Sequence, residues 1–123
     1  MTAHILLIEP ESKLAKFIAL ELKHAGYQVT ELLSELPGLT RLPQRPFSLA
    51  IFDLKRLKFS GIETQRQVQA IAQRMPVIWL STMDRDEVCQ NFNQFDHEIK
   101  DHLLFKPFSI EELLLRIYNR LNR

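Results

Sequence analysis

LLFKPFSIEELLLRI, residues 103–117, reads as a strand, a turn and a helix in immediate succession. Leu103-Leu104-Phe105 is a short apolar run that stops at Lys106-Pro107. Proline lacks an N–H and cannot continue a central strand. Ser109 suits a helix N-cap, and Glu112 three residues later completes the sequence of a capping box. Beyond it Ile110, Leu113, Leu114, Ile117 and Leu121 recur at three- and four-residue steps, the stripe of an amphipathic helix. A continuous apolar strand feeding such a helix is the building unit of a parallel sheet covered on both faces.

The same unit recurs outward along the chain. His4–Ile8 is an apolar run that ends at Glu9-Pro10. Pro10 suits the first turn of the helix that follows. That helix carries Leu14, Phe17, Ile18, Leu22 and Ala25 as its inward stripe and Gly26 as its C-cap. Tyr27–Leu32 alternates and reads as a second strand. Ser34 to Pro46 is the least regular part; its prolines leave room for one or two helical turns at Leu39–Leu42. Phe47–Phe52 is a third strand ending at Asp53, followed by a helix from Gly61 through Arg74 with Ile62, Val68 and Ile71 inward. Pro76–Leu80 is a fourth strand, ending at Ser81-Thr82. Asp84 then caps a helix whose stripe is Val88, Phe92, Phe95 and Ile99. The reading is five βα units in one domain spanning 1–123, with no internal repeat, low-complexity segment or linker.

Composition narrows the function. The chain has 123 residues, 46% hydrophobic and 25% charged, within the usual size of one domain, about 100–150 residues. Sixteen Lys and Arg against 15 Asp and Glu give a net charge of +1, which argues against direct nucleic-acid binding by this domain. A single cysteine, Cys89, rules out an internal disulfide and a cysteine-rich zinc site. The first apolar run is too short for a signal peptide or a spanning helix, so the expected location is the cytoplasm, with no membrane contact. Three widely separated glycines form no dinucleotide or Walker loop.

In an open α/β sheet, ligands bind beyond the carboxyl ends of the strands. Strand one delivers Glu9 there, strand three Asp53, strand four Ser81 and Thr82, and strand five Lys106. Carboxylates, a hydroxyl and a lysine suit phosphoryl transfer to a carboxylate. An aspartate can be the nucleophile of an acyl phosphate, Mg2+ is held by carboxylates, phosphate and water, and lysine neutralises phosphoryl charge.

These residues resemble the receiver domain of two-component response regulators over nearly the whole chain. LLFKPFSIEELLLRI looks like the end of receivers of the OmpR/PhoB type. ILLIE (5–9), FSLAIFDL with SGIE (47–63) and PVIWLST (76–82) are similar in spacing. The resemblance implies a doubly wound, flavodoxin-like (βα)5 sheet with strand order 2-1-3-4-5. It makes Asp53 the phosphoacceptor, Glu9 an acidic-pocket residue, Ser81 the switch hydroxyl and Lys106 the phosphate-facing lysine, with Glu9 and Asp53 as metal ligands. The phosphodonor would be a histidine kinase or another donor, and the output transcriptional, through an effector domain or partner. The domain is expected not to be an enzyme.

Three departures from the family pattern stand out. Pro10 replaces the second acid after strand one, the one that by resemblance contacts Mg2+, so Mg2+ should bind weakly or not at all. Leu57 replaces a proline after the phosphoacceptor, and Leu103 replaces the aromatic that swings inward on activation. They keep a second reading open, a phosphorylation-independent interaction module. On the last helix, Leu115 and Tyr118 lie off the inner stripe by about 100° or more, among Glu111, Glu112, Arg116 and Arg120. Glu112 and Arg116 match charged positions of the family's two-fold interface. The expectation is a weak homodimer through Glu112, Leu115, Arg116 and Tyr118, against a simple Glu112–Arg116 pair within the helix.

Overall fold

The computed structural model describes residues 2–32, 47–54, 62–91 and 102–122. Among these, strands β1 (His4–Ile8), β2 (Gln28–Leu32), β3 (Leu49–Asp53), β4 (Val77–Ser81) and β5 (Leu103–Phe105) alternate with helices α1 (Ser12–His24), α2 (Ile62–Arg74), α3 (Arg85–Asn91) and α4 (Ile110–Leu121). The strands form one parallel sheet in the order β2-β1-β3-β4-β5, as the sequence predicts. The irregular stretch at 34–46, Leu57, the Ser60-Gly61 match and the positions of Phe92, Phe95 and Ile99 lie outside the described residues.

The period of two along a strand sorts the core into two layers. Ile5, Leu7, Leu49, Ile51, Ile78, Leu80 and Leu104 face α1 and α4. Leu6, Ile8, Ala50, Phe52, Val77, Trp79 and Leu103 face the other way, with Val68 of α2 and Val88 of α3. Phe52 and Trp79 are register partners on β3 and β4, and their rings stack with centroids 5.6 Å apart. Both faces of β1, β3 and β4 are thus closed to water, and the first polar side chain at each strand end is set at the rim by the pleat.

The helix ends follow local chemistry. Gly26, with φ +99°, closes α1: its N–H bonds Lys23 C=O and that of Tyr27 bonds Leu22 C=O, a Schellman pattern that needs a left-handed residue. Asp84 caps α3 reciprocally. Its Oδ1 accepts from Glu87 N, and Glu87 Oε1 accepts from Asp84 N. Ser109 Oγ accepts from Glu112 N at the start of α4.

Two details of α1 correct the sequence reading. The helix starts at Ser12 with Glu11 as N-cap, so Pro10 precedes the cap instead of forming the first turn. Its buried arc is Ala15, Ile18, Ala19 and Leu22, whereas Phe17 is exposed and Ala25 lies on the surface. At about 100° per residue, Phe17 points away from the arc that the small residues Ala15 and Ala19 bring against the sheet.

Candidate functional site

Three chain segments far apart in sequence meet at the carboxyl edge of the sheet. Glu9 follows β1 and is fully buried; Asp53 ends β3 and is 4% exposed. Lys106 follows β5, and its stem reaches back so that Nζ donates to Asp53 Oδ2 at 2.7 Å and lies 2.6 Å from Glu9 Oε1. The other Glu9 oxygen, Oε2, accepts from the N–H of Glu11 at 3.0 Å. Burial alone pushes the Lys106 ammonium down, but direct contacts with Asp53 and Glu9 and the charge of both outweigh it. They hold Lys106 above its ordinary value of 10.5. The Lys106–Pro107 peptide is cis.

Ser81, the last residue of β4, is buried on the same edge. Asp53 is in register with Leu80, so Ser81 stands one residue beyond it, and Lys106 N donates to Ser81 O at 2.8 Å. The Ser81 hydroxyl, however, is turned into its own loop. Oγ donates to Met83 O at 3.0 Å and accepts from Met83 N at 2.9 Å. Ser81 stands at the end of β4, where the sequence puts it, but this turn is not foreseen there; a strand-end serine before Thr82-Met83-Asp84 is the signal that would have found it.

This edge gathers the four side chains expected of a phosphoacceptor pocket: Glu9, Asp53, Ser81 and Lys106. Residues 5–118 match the response regulator receiver domain. The chain belongs to that family. Its relatives include YkoG of Bacillus subtilis, an uncharacterized transcriptional regulatory protein, 36% identical over 93% of this chain and 49% of that protein. The response regulator ArlR of Staphylococcus saprophyticus is 34% identical over 97% of this chain and 52% of its own length. The chain therefore spans about half the length of the curated relatives it matches. A receiver domain structure from Clostridium thermocellum superimposes with a TM-score of 0.77 at 27% identity, covering 98% of this chain and 95% of that one. A CheY-like receiver from Methanospirillum hungatei shares the fold, with a TM-score of 0.81 at 21% identity and 99% and 95% coverage. The match favours a signalling receiver over a module that works without phosphate.

Receiver domains are as a rule signalling units phosphorylated by histidine kinases, and they typically bind Mg2+ at the acidic pocket. The residues of this receiver suit that ion poorly. Pro10 offers no carboxylate, and Lys106 already engages both Glu9 and Asp53. Among the described residues no group of three or more His, Cys, Asp or Glu side chains comes together. Among them, too, no helix is long and apolar enough to cross a membrane.

The last helix of the receiver presents Leu115 and Tyr118 to solvent, each 60% exposed. Glu112 and Arg116 approach to 3.8 Å, one turn apart. Arg116 also has a role the sequence does not disclose: Nη1 donates to Leu103 O at 2.8 Å. Arg120, one turn on, reaches Val77 O at 3.2 Å. Two arginines four residues apart thus fasten α4 to the starts of β5 and β4. No sequence signal marks a backbone carbonyl as the partner of an arginine.

Proposed function

We propose that this receiver takes a phosphoryl group on Asp53 and passes the signal on by changing the surface of its last helix. The observation that carries the reading is the Lys106 ammonium between Glu9 and Asp53, 2.6 and 2.7 Å from their oxygens. An aspartate nucleophile attacks phosphorus through a carboxylate oxygen while the bond from phosphorus to the donor breaks and the donor's own group departs. Asp53 sits at the rim, and Lys106 supplies the cation that offsets the phosphoryl charge. Ser81 becomes a hydrogen-bond donor to a phosphoryl oxygen once its bond to Met83 O is given up. Its place beside Asp53 supports that role. The phosphodonor is a histidine kinase or another phosphodonor, in the cytoplasm. Glu9 and Asp53 are the residues that would hold Mg2+, weakly, since Pro10 adds no third carboxylate.

The output is a weak homodimer through α4, with Leu115 and Tyr118 as the apolar centre and Glu112 and Arg116 as the charged rim. The transcriptional relatives support a regulatory output through an effector domain or partner, and the net charge of +1 favours no direct nucleic-acid contact by this domain. Intact-mass measurement after incubation with acetyl phosphate tests the first step. The wild type is expected to gain about 80 Da as an acyl phosphate, and Asp53→Asn to gain nothing. A gain that survives the substitution, or none in the wild type, overturns the assignment.

A further inference from the structure

Helices α1 and α4 lie side by side on one face of the sheet and share a core layer. Among the described residues, four large apolar side chains are exposed to solvent, and all four belong to these helices. They are Phe17 at 49% and Leu20 at 52% on α1, and Leu115 and Tyr118 at 60% on α4. One exposed apolar side chain is ordinary; two pairs on a single layer are the kind of patch that marks an interaction surface. The charges beside the two pairs are opposite. On α1, Lys13, Lys16 and Lys23 are exposed, while Glu21 is half-buried on the flank. On α4, Arg116 and Arg120 donate to Leu103 O and Val77 O. That leaves Glu111 and Glu112, both exposed, as the main outward charge. The two helices also match in level. Each starts beyond the carboxyl edge of the sheet and runs back along it. Phe17 and Leu20 are the sixth and ninth residues of α1, and Leu115 and Tyr118 are the sixth and ninth of α4. Lys13 and Glu111 are each the second.

We propose that this layer docks a second copy of the chain about a two-fold axis parallel to the helices, so that α1 of each copy lies on α4 of the other. Such an axis exchanges the two helices and keeps every residue at its own level. Apolar pair then meets apolar pair, lysines face glutamates, and each contact is made twice in a closed dimer. Setting α4 on α4 would bring acids to acids, and α1 on α1 lysines to lysines; like charges set face to face oppose association. The inference rests on the reading of α4 as the docking helix and names the surface it meets. It concerns both faces as they stand without a phosphoryl group.

Sedimentation of the unphosphorylated chain at about 200 µM, above a typical micromolar transient dissociation constant, tests the arrangement. The wild type is expected to dimerise, and more weakly in about 0.5 M NaCl than in about 0.05 M, because salt screens exposed pairs. Lys13→Glu with Lys16→Glu should weaken the dimer at least about tenfold, and Glu111→Lys with Glu112→Lys should do the same. The four changes together should restore it to within about threefold of wild type. All four side chains are exposed, so urea unfolding should confirm that each variant is folded; should Glu112→Lys loosen the start of α4, Glu111→Lys alone serves with Lys13→Glu. The proposal is overturned if the α1 reversal leaves the dimer as tight as wild type, or if the combined variant stays monomeric. In the first case, loss of the dimer on reversing α4 alone would keep α4 as the docking helix and give it another counterpart. A monomeric wild type overturns the pairing outright and leaves the chemistry of Asp53 untouched.

Discussion

Asp53 and Ser81 end adjacent strands, one register step apart, and are held by opposite means. Asp53 is gripped by Lys106, a residue 53 positions away. Ser81 is gripped by Met83, two positions away, through both its donor and its acceptor. The charged half of the rim therefore exists only when the sheet is assembled. The hydroxyl half is a local turn that forms wherever β4 ends. A change of charge at Asp53 is felt at once by Lys106 and Glu9, whereas Ser81 responds only if its turn opens.

The largest expected effect comes from breaking the charged half. Lys106→Met removes the ammonium that touches both Glu9 and Asp53 and should destabilise the fold by about 3 kcal/mol, read by urea unfolding. A loss no greater than that of the serine variant would mean that the two halves do not differ in kind. Ser81→Ala deprives the Met83 N–H and C=O of their partner. It should cost about 1–2 kcal/mol, with an unchanged urea dependence. The double variant sharpens the contrast: independent halves should give additive losses within about 0.5 kcal/mol.

The contrast also has a pH signature. Lys106 is held above 10.5 in the folded chain, so the stability it lends is complete below 10.5 and lost as pH rises through its folded value. The gap in stability between wild type and Lys106→Met should be constant from pH 7 to 9 and narrow in more alkaline solution. The gap between wild type and Ser81→Ala should not change, because no proton is released there. Equal narrowing of both would break the distinction. The smallest effect lies away from the rim. Leu115→Ser combined with Tyr118→Ser should alter stability by less than about 0.5 kcal/mol, since both side chains are mostly in water. It should abolish any concentration-dependent dimer in sedimentation.

What the sequence discloses divides along the same line. Glu9, Asp53, Ser81 and Lys106 are legible because each stands where an apolar run stops, and the strand order brings those stops to one edge. The direction each side chain takes is not legible. Nothing in the sequence tells that Lys106 reaches Glu9 as well as Asp53, or that Ser81 folds back on Met83. Phe17 is misread for a related reason. Its size suggests burial, yet α1 lies against the sheet through Ala15 and Ala19, whose small side chains carry little weight in a hydrophobic stripe. The caps at Gly26 and Asp84 are read correctly because their chemistry is complete within a few residues.

Strand β5 has only three residues, and both of its ends are tied. At one end Leu103 O is taken by Arg116 of the last helix; just past the other, Lys106 is taken by Glu9 and Asp53. Three residues of parallel strand span about 10 Å, so β5 is a taut string between two pegs, one in the acid pocket and one in α4. Slack cannot build up in so short a piece. When one peg turns, the string either pulls the other or snaps its fastening.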